Sequence, residues 1–298
     1  MALAPAVRRR EAAEQRAERL AGALPPLMVA ADRVAATVAQ GVHGRRRVGT
    51  GETFWQFRHY QHGDPINRID WRQSAKSRPT FVRETEWEAA QSVWLWRDGS
   101  PSMRYRSKAD LDAKSDHATI LLLALAALLL RGGEHVGLLG ADRLPRRGRA
   151  VIGRLALALD AEPAESAPSL PAFEPLPRHA QIVLIGDFLS PLEDTDRLLR
   201  RFAAGRIRGH LVQVVDPAEE DLPFDGHVRF QGLEAEGVVA LERVERSRSD
   251  YRSRFEAQRA GLAEIARQIG WTFAVHRTDR PLQAALLSLF MALAMPEN

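Results

Sequence analysis

The 298-residue sequence contains no cysteine, which excludes a disulfide framework, a thiol nucleophile and thiolate metal sites. A reducing compartment fits that absence, and any metal bound here has to be held by oxygen or imidazole. Long hydrophobic runs are also missing. The longest, residues 120–130, has 11 members, and the apolar stretch 282–295 is interrupted by Gln283 and Ser288. A spanning helix needs about 20 apolar residues, so both stretches are expected as helices buried against a sheet. Residues 1–7 lack the apolar length of a signal peptide and run into Arg8, Arg9 and Arg10, so the expected location is the cytoplasm.

Several catalytic signatures are absent as well. No Gly-x-x-x-x-Gly-Lys-Ser/Thr loop occurs, which excludes a P-loop ATPase. The nine histidines are scattered, with no His-x-x-x-His pair to hold a hydrolytic zinc. Neither Ser100 nor Ser102 sits in the Gly-x-Ser-x-Gly elbow of a serine hydrolase. Ser100 stands two residues after Asp98, where a haloacid-dehalogenase-type phosphatase would carry its second aspartate. A non-enzymatic protein is therefore expected.

What is present supports a full core: 45% of residues are hydrophobic, enough for one large domain with a smaller attachment. Charge is unevenly placed. Residues 1–87 hold 15 Lys+Arg against 9 Asp+Glu, whereas residues 88–298 hold 27 against 29. The N-terminal region thus has its own surface chemistry, open to an acidic protein or to a nucleic acid.

Residues 8–22 and 27–40 have helical composition or spacing and are separated by Pro25-Pro26. Arg45, Arg46 and Arg47 lie among glycines, which predicts a mobile basic loop, either a solvated charge run or a partner-binding segment. Residues 54–60, 69–71 and 80–84 read as short strands. From about residue 89, strands and helices alternate, the pattern of a parallel sheet covered on both faces. The expected organisation is an α/β chain with an N-terminal appendage of helices and short strands over residues 1–88. A doubly wound, mainly parallel, Rossmann-type domain follows over 89–298. Its strands are expected at residues 92–97, 136–140, 181–186, 210–215 and 271–276, with a small hairpin pairing residues 228–230 with 238–241.

In doubly wound sheets, ligands bind beyond the carboxyl ends of the strands. Asp98 follows the strand 92–97 and Asp187 follows 181–186, which aims both carboxylates at the same edge. Asp98-Gly99-Ser100-Pro101-Ser102 alternates in the way that puts one carboxylate and two hydroxyls on one side of an extended loop. Asp98, Ser100, Ser102 and Asp187 together could hold Mg2+ or Mn2+, since Mg2+ prefers about six hard oxygens and keeps several waters. Alternatively, the loop is an Asx-type turn that caps the following helix; both readings stand at this point.

This loop and its setting resemble the metal-ion-dependent adhesion site of von Willebrand factor A-like domains. Upstream, the run Tyr60-Gln61-His62-Gly63-Asp64-Pro65-Ile66-Asn67-Arg68-Ile69-Asp70-Trp71 resembles the signature of the bacterial family called domain of unknown function fifty-eight. The matching residues are Tyr60, Gly63, Asp64, Arg68, Ile69, Asp70, Trp71 and, further on, Ala75, followed by Glu84 and the strand that ends at Asp98. The resemblance implies a von Willebrand factor A-like fold and a link to MoxR-type AAA+ ATPases, which assemble or activate other proteins. Adhesion-type sites add a threonine from a second loop, and here no threonine occurs between Thr119 and Thr195; residues around Arg149 are the candidates for that place.

The residues of the signature also have a physical reading of their own. Gly63-Asp64-Pro65 is turn chemistry, Arg68 can pair with Asp64 or Asp70, and Trp71 is expected to anchor the segment. The function expected is a protein-interaction module that uses a divalent cation and partners a MoxR-type ATPase and a client protein. The alternatives are a nucleic-acid binder using Arg45, Arg46 and Arg47, and a metal-dependent hydrolase.

Overall fold

The computed structural model describes residues 11, 14–15, 47–49, 53–60, 69–76, 80–87, 92–148, 150–160, 167–234 and 237–294. From residue 47 onward these divide into two compact units that part between Ala90 and Gln91. Of the two helices expected near the start, 27–40 lies outside the described residues. Within 8–22 only Glu11, Glu14 and Gln15 are described, and they are helical.

The smaller unit is an antiparallel sheet of β1 (Arg47–Gly49), β2 (Thr53–His59) and β3 (Phe81–Trp87), with β3 in the centre. Two expectations are corrected here. Arg47 opens a strand rather than sitting in a mobile loop, because its backbone pairs with Trp87 of β3. Residues 69–71 do not form a strand: Ile69 makes a single bridge to Val82, and the chain then coils into a one-turn helix, α1 (Trp71–Ser74).

Ser74 closes that turn, since its backbone N–H donates to the Asp70 carbonyl at 2.9 Å and its hydroxyl to the same oxygen at 2.8 Å. Its Oγ also accepts from Phe81 N at 2.8 Å, which ties the turn to β3. Trp71 is 65% exposed and does not anchor the segment. Tyr60 and Asp70 are half-buried and donate their backbone N–H groups to Thr80 and Phe81. Arg45, Arg46, Gly63, Asp64 and Arg68 lie outside the described residues.

The larger unit is built on five parallel strands: β4 (Ser92–Arg97), β5 (His135–Leu138), β6 (Gln181–Gly186), β7 (Arg208–Val215) and β10 (Thr272–Arg277). Between β7 and β10 the chain adds an antiparallel ribbon, β8 (Val228–Gln231) with β9 (Val238–Leu241). The helices are α2 (Lys114–Arg131), α3 (Ala150–Asp160), α4 (Leu192–Ala204), α5 (Pro217–Asp221), α6 (Val244–Gln268) and α7 (Leu282–Ala294). The sheet is doubly wound, as the alternation of apolar strands and helices predicts.

Successive side chains of a strand face opposite ways, and the two faces are visible in β4. Val93 and Leu95 join the core layer of α2, α3 and α7, whereas Trp94 and Trp96 join the layer that contains Leu199 and Phe202 of α4 and Leu262 of α6. Helix α2 is apolar all round because it is buried all round, from Ile120 to Leu129. It is nevertheless too short to span a bilayer, and no helix among the described residues is long and apolar enough to cross a membrane.

Strand order across the sheet is β10-β7-β6-β4-β5. The chain leaves β4 for β5 on one side, then returns past β4 to β6 on the other. That reversal opens a crevice between the carboxyl ends of β4 and β6, and the loops that carry Asp98 and Asp187 start there.

Just before the paired segments of β7 and β10 the chain makes one close approach. Trp271, buried just before β10, donates its indole N–H to the Ile207 carbonyl at 3.1 Å and lies directly over Gly209, where a Cβ would overlap its ring. Gly209→Ala is expected to destabilise the domain by about 3 kcal/mol, as overpacking of a closed core does. Urea denaturation would check this, and an unchanged midpoint would contradict the packing described.

Candidate functional site

The carboxyl end of β4 does not stop pairing at Arg97: the Asp98 N–H still donates to Ile185 O of β6 at 2.8 Å. Asp98 is therefore held by the sheet itself, fully buried. Beside it, Gly186 leaves the carboxylate room, since a Cβ there would come within 2.8 Å of Asp98 Cβ and 3.1 Å of its Oδ2. One residue on, Asp187 is 2% exposed, and Gln213 of β7 donates to its carbonyl at 3.0 Å. The two acidic residues thus occupy one rim, as their positions at strand ends predict.

The loop between them and α2 settles part of the choice between a turn and a site. Asp98 Oδ1 accepts from Ser100 N at 2.8 Å, the hydrogen bond of an Asx turn. Ser100 also precedes a short 3-10 helix, Pro101–Arg104, but its hydroxyl makes no capping bond. Instead, Ser100 Oγ lies 3.0 Å from Ser102 Oγ, and Ser102 Oγ donates to Asp187 Oδ2 at 2.6 Å. The two hydroxyls thus lead to Asp187, while Asp98 is joined to the same loop through the Ser100 backbone N–H.

One member of the cluster has no sequence signature. Lys114, the first residue of α2, is completely buried and donates to Asp187 Oδ2 at 2.9 Å and to Glu219 Oε1 at 2.5 Å. Glu219 is placed by α5, whose Asp216 cap accepts from Ala218 N while Glu219 Oε2 accepts from Asp216 N. Burial pulls the ammonium down, but Asp187 and Glu219 outweigh it and hold Lys114 above the ordinary lysine value. It stays charged, and it does not serve as a base for Ser102. Arg149, which the missing threonine brought into question, lies outside the described residues.

Asp187 and Glu219 thus share one ammonium, and Asp98 stands beside Asp187 outside that pairing. Among the described residues, Asp98 Oδ2 is buried without a hydrogen-bond partner. Burial first, then the neighbouring Asp187 charge, pushes its carboxyl from 3.8 up to about 7. Such an atom calls for a proton or a cation.

The oxygens on hand fit a small hard divalent ion: Asp98 Oδ2, the hydroxyls of Ser100 and Ser102, and waters. Asp187 is committed to Ser102 and Lys114, so the fitting set is narrower than the sequence suggests. Among the described residues no three His, Asp or Glu side chains converge into a metal cage.

The chain matches the family model for the protein of unknown function DUF58 over residues 56–261 and belongs to that family. An uncharacterized protein of Mycobacterium tuberculosis is 29% identical over 285 residues, which covers 88% of this chain and 86% of that protein. Among solved structures, an aerotolerance-related membrane protein of Bacteroides fragilis aligns with 67% of this chain and 98% of its own at 17% identity, with a TM-score of 0.42. The conserved hypothetical protein BatB of Bacteroides thetaiotaomicron aligns with 68% and 97% at 15% identity, with a TM-score of 0.41.

The raised Asp98 carboxyl has a sign that can be checked. Folding favours the protonated form, so its contribution to stability is full below the unfolded value near 3.8 and is lost as pH climbs through about 7. With divalent ions chelated, the melting temperature of the wild type is expected to fall relative to Asp98→Asn as pH rises from about 4 to about 7. Parallel pH profiles for the two proteins would show that Asp98 is ionised throughout.

Proposed function

Taking membership of this family as the premise, we propose that the chain is a non-enzymatic protein-interaction module of the cytoplasm. In this reading its switch-point rim engages a partner through Mg2+ or Mn2+ held by Asp98, Ser100 and Ser102, with Asp187 as the supporting carboxylate. The single observation behind it is the unpartnered, buried Asp98 Oδ2 standing beside two hydroxyls that cap nothing. An ion held on that side would keep water-filled positions, and a carboxylate from another protein can take one of them.

Binding is favoured over catalysis by the state of the nearby groups. Lys114 is locked as an ammonium between two carboxylates. The buried imidazoles are engaged elsewhere: His117 with His276, and His210 with Thr272 and Gln181. A hydrolytic mechanism would need a base beside Ser102 or an ion-bound water. The MoxR-type AAA+ ATPase enters as partner through the family resemblance of the signature at Tyr60 to Trp71, and the client would be a protein that the pair assembles or activates.

Calorimetric titration with Mg2+ and Mn2+ tests the site, with heat expected from the wild type and little from Ser100→Ala. A pull-down using a MoxR-type ATPase from the same genome tests the partnership. Recovery is expected in Mg2+ and is expected to be lost with chelator or with Asp98→Ala. Equal recovery in all three conditions would sink the metal-mediated contact, and none in any would sink the partnership.

A further inference from the structure

A carboxylate oxygen offers two lone pairs to donors, and on Asp187 Oδ2 both are taken. Ser102 Oγ donates to it at 2.6 Å and Lys114 Nζ at 2.9 Å. Oδ1 accepts from Leu189 N at 3.3 Å. The hydroxyl bonds then have one direction. Ser102 has a single proton and gives it to Asp187, so Ser100 is the donor in the 3.0 Å contact between the two hydroxyls. Ser102 keeps one lone pair and Ser100 keeps two, and these are what the hydroxyls offer a cation.

Asp187 Oδ2 is thus one hydrogen bond away from a member of the proposed ligand set, with an ammonium in the place a cation would take on it. That ammonium has no water to turn into. Lys114 is completely buried, its backbone N–H donates to Tyr105 O at 3.3 Å, and Glu219 Oε1 accepts from its Nζ at 2.5 Å.

The number of carboxylates decides between ions. Ca2+ takes six to eight oxygens, often from bidentate carboxylates, and its affinity follows the charge of its ligands. Mg2+ settles for one or two carboxylates and keeps several waters, and Mn2+ accepts the same octahedral oxygen set. With Asp187 withheld, the set has Asp98 as its one carboxylate.

Resting on the reading of the site given above, we infer that Lys114 determines which ion the rim accepts. Its ammonium keeps Asp187 out of the ligand set and so restricts the site to Mg2+ or Mn2+ against Ca2+. Lys114 touches no ion; it is a positioning residue that acts through Asp187.

The test is Mn2+ binding by the full chain, followed by the electron paramagnetic resonance signal of free Mn2+, with Mg2+ or Ca2+ added as competitor. In the wild type, half-displacement is expected to need about tenfold more Ca2+ than Mg2+, or more. Lys114→Met tightens every divalent ion by removing a nearby positive charge, so the readout is the ratio of the two competitor concentrations. That ratio is expected to fall to about one. Two double variants, each removing one charge of either sign, separate release of Asp187 from general charge. Lys114→Met with Glu219→Gln frees Asp187 and is expected to keep the lowered ratio, whereas Lys114→Met with Asp187→Asn is expected to lose it. An unchanged ratio in Lys114→Met, or double variants that behave alike in either direction, would overturn the inference. So would a wild type that yields its Mn2+ to Ca2+ as readily as to Mg2+, a result that needs no variant to fold and leaves the site intact. Absence of Mn2+ binding by the wild type would overturn the site, and the role of Lys114 with it.

Discussion

The buried contact between Lys114 and Asp187 is the constraint on which the acidic rim depends. An ammonium and a carboxylate at 0% and 2% exposure are stable together only because each is also hydrogen-bonded to further partners. Lys114 reaches Glu219, and Asp187 accepts from Ser102. Breaking such a pair by removing one partner costs about 3 to 5 kcal/mol. The pair links the start of α2, the end of β6 and the one-turn α5, three elements that meet only because the strand order reverses between β4 and β6.

That arrangement leaves Asp98 as the odd charge. Gly186 gives its carboxylate space, and the sheet hydrogen bond from Asp98 N to Ile185 O keeps it from turning out to solvent. Burying a carboxylate oxygen without a donor is costly, and a site that bears the cost is poised to accept a proton or a cation. The proposed ion is a consequence of this charge imbalance.

Much of the scaffold was legible in the chain because buried parallel strands read as continuous apolar runs. The run at residues 181–186 and the run at 92–97 are both strands in full, and the aspartates that end them mark the rim. The oxygen loop was legible for the same reason. Lys114 was not, since a lysine opening a helix ordinarily reads as solvated; its position at the end of the loop that leaves Asp98 was the available signal. Glu219 was missed because α5 was, although Asp216-Pro217-Ala218-Glu219 has the spacing of a capping box. Residues 69–71 looked like a strand by composition, and the Ser74 hydroxyl, a local bond that pattern does not weigh, turned them into a bridge and a helical turn.

The charge imbalance at Asp98 is tested most directly by diffraction from crystals soaked in Mn2+, using anomalous scattering to locate the ion. The account predicts a single strong peak bonded to Asp98 Oδ2 and to the hydroxyls of Ser100 and Ser102, with Lys114 still on Asp187. A map with no ion at the rim, and with Asp98 Oδ2 bonded to a donor of the protein itself, would contradict it.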